Sequence, residues 1–183
     1  IGGNTCNGVT SADSASTLFA WDAVMEITGP QGVRQVPIQQ FYIKAGQVAL
    51  QHNELETAIL IKKESYEGYR GHYIKYAMRN AMDIATCGCS VNVKLSADKK
   101  YIEDVRIAYG VAGPIPMRAP FAEAVAKGKP VSMETVEAFG EAALQDVNPR
   151  TSWRATKEFR LHLTRELAMR ALKESILRSG GAL

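Results

Sequence analysis

Near the start of the chain, Gly2-Gly3-Asn4 is followed at position 13 by an aspartate. Paired glycines let backbone N–H groups approach a ligand without side-chain obstruction. An asparagine directly after them adds a donor and an acceptor, and Asp13 supplies a carboxylate for hydroxyl or ring N–H donors. Read alone, Gly-Gly-Asn more often describes a plain turn. It is neither the phosphate loop G-x-x-x-x-G-K-S/T nor the dinucleotide fingerprint G-x-G-x-x-G.

The second group is "KYAMRNAMDIA", residues 75–85, with cationic Lys75 and Arg79 and with Asp83 before a small apolar run. A lysine beside an apolar β segment suits a ligand that turns anionic on reduction. The alternative is a snorkelling surface lysine paired with Asp83. The three histidines, His52, His72 and His162, complete no Ser/His/Asp order and no H-E-x-x-H pattern, so hydrolase and zincin chemistry find no support. Of the three cysteines, Cys87 and Cys89 fall on one face of a strand, too few ligands for zinc or an iron–sulfur cluster. They read as small residues of a packed strand, and the odd count suits a reducing cytoplasm. Lys157, Arg160, Arg165, Arg170, Lys173 and Arg178 read as the solvated face of a helix, with a subunit-docking face as the alternative.

The elements that must position these residues follow from periodicity. The 183 residues suffice for a sizeable core, and 46% apolar with 22% charged residues is ordinary for a globular chain. A net charge of +3 without a basic stripe argues against nucleic-acid binding. The apolar runs are too short to span a membrane, and no charged-then-apolar leader appears. Asp13 or Ser14 can cap a short helix, after which "AVMEI" and "VRQVPI" flank a Gly/Pro turn as a hairpin. A strand at Thr57–Ile61 follows, and the polar "KESYEGYRGH" separates a first unit, 1–66, from a second, 67–183. Beyond it, "HYIKYAMR" reads as a strand, and Val91, Val93, Leu95 and Val105, Ile107, Tyr109 as the arms of a long hairpin. Three helices end the chain: one closing at Gly128, one capped by Ser132, and one with Phe159, Leu163, Leu167 and Ala171 at i,i+4 spacing. The expected class is α+β: a small mainly β lobe, then a three-stranded antiparallel sheet backed by helices.

Taken together and in order, "IGGNTCNGVTSADSASTLFAWDAVMEI", "VPIQQFY", "ELETAILI", "YIKYAMRNAMDIA", "IAYGVAGPIPMRA" and "PRTSWRATKEFRLHL" resemble the FAD-binding medium subunit of molybdenum hydroxylases, above all of bacterial xanthine dehydrogenases. The resemblance covers essentially the whole chain. It implies part of a PCMH-type FAD lobe followed by a flavoprotein C-terminal domain. By the same resemblance, Ile1, Gly2, Gly3 and Asn4 form a backbone-rich wall of the FAD site, and Asn7 stands where the family often has a threonine touching FAD. Asp13 matches the acidic FAD ligand, Lys75 the lysine near the isoalloxazine, and Ile84 the residue packed by the ring. Arg79 falls near the flavin, and a backbone contact is implied around Leu55–Thr57. The implied partners are a molybdopterin subunit and a [2Fe–2S] subunit, with electrons passing through FAD to NAD⁺ or another acceptor. The Gly-rich pyrophosphate lobe of the family is not among these residues, so the chain reads as a C-terminal portion expected to bind FAD weakly, and to be inactive, alone. Related nicotinate, other heterocycle or CO dehydrogenases, and a non-catalytic assembly module, stay open as alternatives.

Overall fold

The computed structural model describes residues 1–183. A one-turn helix, α1 (Gly2–Cys6), precedes α2 (Ala15–Ala20), and then β1 (Val24–Gly29) and β2 (Gly32–Pro37) form the expected hairpin around a left-handed Gly32. After α3 (Ile38–Phe41) and the small hairpin β3 (Tyr42–Lys44) with β4 (Gln47–Val48), strand β5 (Leu55–Leu60) returns beside β1. The first sheet is therefore antiparallel in the order β2-β1-β5. Its core gathers Met25, Ile27, Ile38, Phe41 and Tyr42 against Phe19 of α2.

The segment α4 (Lys63–Tyr66) leads into the second sheet, β6 (Arg70–Tyr76), β7 (Cys87–Leu95), β8 (Ile102–Gly110) and β9 (Met117–Arg118), all antiparallel in sequence order. It has four strands rather than three. The added β9 is two residues long and lies among prolines, too short for periodicity to reveal. Helices α5 (Pro120–Ala126), α6 (Met133–Ala143) and α7 (Lys157–Arg178) follow.

Strand β7 explains how the two sheets meet. Its odd positions, Cys87, Cys89, Val91 and Val93, face the core formed with α5, α6 and α7. Its even positions, Gly88, Ser90 and Asn92, are small or polar and lie on the opposite face. There α2 packs down, and Asn92 Nδ2 donates to the Ala20 carbonyl at 2.9 Å. Ala108 of β8 accordingly joins the first core, although it belongs to the second sheet.

Ser132 caps α6 as expected, accepting from the Thr135 N–H at 3.2 Å, and Thr156 caps α7 in the same way, accepting from the Phe159 N–H at 3.2 Å. The α7 stripe is shifted from the expected one. Leu163, Leu167 and Ala171 are buried, but Phe159 lies at the surface, edge-on to Tyr76 with ring centroids 5.8 Å apart. Arg160, expected on the solvated face, is buried. The first turn of α7 overhangs the start of β7, and the guanidinium there donates to the Thr86 carbonyl and, at 2.9 Å, to Ser152 Oγ. Arg160 shares the i,i+4 row of Thr164, Ala168 and Leu172, which is also the buried row.

Candidate cofactor site

Lys75 sits on β6 opposite Gly88 of β7, in the strand where Ile74 points to the core and Lys75 to the other face. Its ammonium donates to Asp13 Oδ2 at 2.8 Å, joining two residues 62 positions apart. It also donates to the main-chain carbonyl of Asp83 at 2.6 Å. The lysine thus does contact Asp83, but through the backbone and not the carboxylate.

From Asp13 the surface continues to α1. Asn4 Oδ1 accepts from the Ser14 hydroxyl at 2.5 Å and from Ser14 N–H at 3.2 Å. Ser14 occupies the cap position of α2, yet its side chain serves Asn4 and not the helix. Asn4, Asp13, Lys75 and Ile84 therefore form one strip, polar at one end and apolar at the other, where Ile84 is half exposed.

The Gly2-Gly3 pair forms the first turn of α1 and not an open turn, closed by the Thr5 N–H on the Ile1 carbonyl at 3.2 Å. The Thr5 hydroxyl shares its one proton between the Gly2 carbonyl and the Glu56 carboxylate, both at 2.8 Å. Cys6 donates to the same carboxylate at 3.2 Å, and burial, then Glu56, push this thiol up to about 11. These bonds pin α1 to β5. A Cβ at Gly3 would meet nothing within 4 Å, one at Gly2 only Glu56 Oε1 at 3.7 Å, and neither residue has positive φ. Glycine costs a helix interior about 1 kcal/mol relative to alanine. Nothing inside the fold requires glycine here, which leaves a surface open to close approach from outside.

The remaining expected residues lie around this strip without side-chain bonds to it. Ile1 is exposed, and Asn7 ends α1 without a side-chain hydrogen bond. Leu55 and Thr57 lie exposed on β5, which reaches α1 through Glu56. Arg79 donates to the Met82 carbonyl at 2.7 Å and approaches Asp83 at 3.7 Å. Sequence reasoning missed Met78, Met82, Trp153 and Arg154, which with Arg79, Asp83 and Ile84 line a cleft of about 360 Å³. Trp153 is 79% exposed, with the Arg154 guanidinium 4.2 Å above its ring. Adjacent Trp-Arg in a loop, outside any helical or strand period, was the available signal.

Residues 72–175, more than half the chain, match the family described as the CO dehydrogenase flavoprotein C-terminal domain. The chain belongs to the CO dehydrogenase flavoprotein C-terminal domain family. Residues 1–62 match a second family, the FAD binding domain in molybdopterin dehydrogenase. Among flavoprotein relatives, the xanthine dehydrogenase FAD-binding subunit of Escherichia coli is 45% identical over 182 residues, covering 100% of this chain and 62% of that protein. The glyceraldehyde dehydrogenase medium chain of Sulfolobus acidocaldarius is 28% identical over 95% of this chain and 60% of its own length. The solved carbon monoxide dehydrogenase of Hydrogenophaga pseudoflava has a TM-score of 0.87 at 27% identity, over 97% of this chain and 60% of that one. The chain therefore spans about three fifths of the length of the relatives it matches. The resemblance read from the motifs and the α+β class are both borne out. No helix is long and apolar enough to cross a membrane.

Proposed function

We propose that this chain forms part of the FAD site of a xanthine-dehydrogenase-like molybdenum hydroxylase. The observation that carries this reading is the Asp13–Lys75 contact, which draws two positions matched by the resemblance, one in the turn before α2 and one on β6, onto the strip shared with Asn4 and Ile84. Held by these residues, FAD would supply the electron-carrying chemistry between the [2Fe–2S] clusters of a partner subunit, fed by a molybdopterin subunit, and NAD⁺ or another acceptor.

The chain's own residues bind and tune. Gly2 and Gly3 offer open backbone, Asn4 and Asp13 offer polar partners, and Ile84 excludes water on its side. Lys75 holds a fixed positive charge where reduction adds negative charge, which raises the reduction potential. The rest of the cofactor falls to the share of the relatives' length that this chain does not cover. Ile1, Asn7, Arg79 and the Leu55–Thr57 backbone remain outlying contacts of the same proposal.

The test is flavin content of the assembled flavoprotein, by visible absorbance, for wild type, Asp13→Asn and Lys75→Gln. Losing a charge-assisted partner is expected to weaken flavin binding by about tenfold. Assembled protein that holds no flavin would end this reading in favour of a non-catalytic assembly module.

A further inference from the structure

The Asp83 side chain is only 5% exposed, although it lies on a loop whose neighbours Met78, Arg79 and Met82 are exposed. The loop is wound about this carboxylate. Oδ2 accepts the Arg79 N–H at 3.0 Å and Oδ1 the Ile84 N–H at 2.8 Å. The Arg79 guanidinium closes the turn on the Met82 carbonyl, and Met82 itself holds a left-handed φ of 53°. That conformation is unfavourable for a non-glycine residue and persists only where its surroundings impose it. From the loop before α7, 71 positions away, Arg154 Nη1 approaches Oδ1 at 3.5 Å. These bonds fix the Asp83 main chain, whose carbonyl takes the Lys75 ammonium at 2.6 Å.

We propose that Asp83 is a positioning residue: its carboxylate holds the loop so that its carbonyl, opposite Asp13, sets where the Lys75 charge stands. The inference rests on the flavin reading above. Burial of the carboxylate favours its neutral form, but the Ile84 and Arg79 N–H groups, with the Arg79 charge, outweigh it and keep Asp83 below the usual carboxylate range. The loop therefore keeps its anionic anchor at neutral pH.

Two effects of Asp83→Asn have opposite signs. Removing a nearby anion raises a flavin's reduction potential, whereas releasing Lys75 lowers it. The experiment measures the flavin midpoint potential in the assembled flavoprotein for Lys75→Gln, Asp83→Asn and the double variant. Lys75→Gln is expected to shift the potential down. Asp83→Asn should shift it down by less, and should give no downward shift in the Lys75→Gln background, where only the lost anion counts. With Lys75 present, an upward shift or no shift overturns the positioning role, as does a downward shift that persists without Lys75, and each leaves the flavin reading intact. If Lys75→Gln changes neither potential nor flavin content, the flavin reading fails and this inference with it. Should Asp83→Asn fail to fold, Arg154→Met replaces it. A smaller downward shift there, absent in the Lys75→Gln background, supports the role, and an unmoved potential overturns it.

Discussion

At the scale of single residues, the candidate site was legible as residue types and not as contacts. Asp13 and Lys75 could be named from sequence, and their contact could not, because it depends on how β6 lies against the start of α2. Asp83 was visible only as a partner for Lys75, and which of its atoms does the binding is a matter of backbone geometry. Gly3 yields the sharpest residue-level prediction. Since a Cβ there meets nothing, Gly3→Ala should stabilise the chain by up to about 1 kcal/mol in thermal or urea unfolding. The same variant should weaken flavin binding in the assembled flavoprotein. A stabilised variant with unchanged flavin affinity would remove the argument that the glycine serves an outside ligand.

At the scale of elements, strong periodicity was read correctly and short or polar-anchored pieces were not. The β7–β8 hairpin showed itself through alternating Val91, Val93, Leu95 and Val105, Ile107, Tyr109, all now buried. The head of α7 misled because Phe159 fits an apolar period while Arg160 finds a carbonyl partner inside. Gly8 is a different kind of glycine from Gly3. It holds a φ of +65°, and a Cβ there would lie 2.8 Å from the Gln47 backbone nitrogen, where α1 meets the β3–β4 turn. Gly8→Ala is expected to cost about 2 kcal/mol in denaturant unfolding, from left-handed strain plus overpacking. A variant as stable as wild type would contradict that contact. In the first sheet, Arg34 of β2 reaches Glu54 at 2.6 Å, and this bond, with the Gln51 N–H, holds the Glu54 carboxyl down to about 2. A lowered folded-state pKa means stability present above the ordinary value of 4.5 and lost as pH falls toward about 2. The Tm difference between wild type and Glu54→Gln should therefore shrink steadily over that window. A difference independent of pH would show the ion pair to be inert.

At the scale of the whole molecule, the α+β class was legible because each core draws on long apolar patterns, and the family through the resemblance of its motifs. How the two sheets join was not. The join uses small and polar residues that carry no hydrophobic signal: Gly88, Ser90 and Asn92 on β7, with Ala20 of α2 against them. Asp22, in a left-handed conformation just after α2, adds a polar seam, binding Arg118 at 2.5 Å and Arg106 at 3.2 Å. Because α2 seals the back of the second sheet while belonging to the first core, neither half can melt and leave the other's interior dry. Calorimetry should accordingly record one heat-absorption peak, and the amides of β7 should be the last to exchange with deuterated solvent. Two resolved peaks would mean the shared wall parts before either core does.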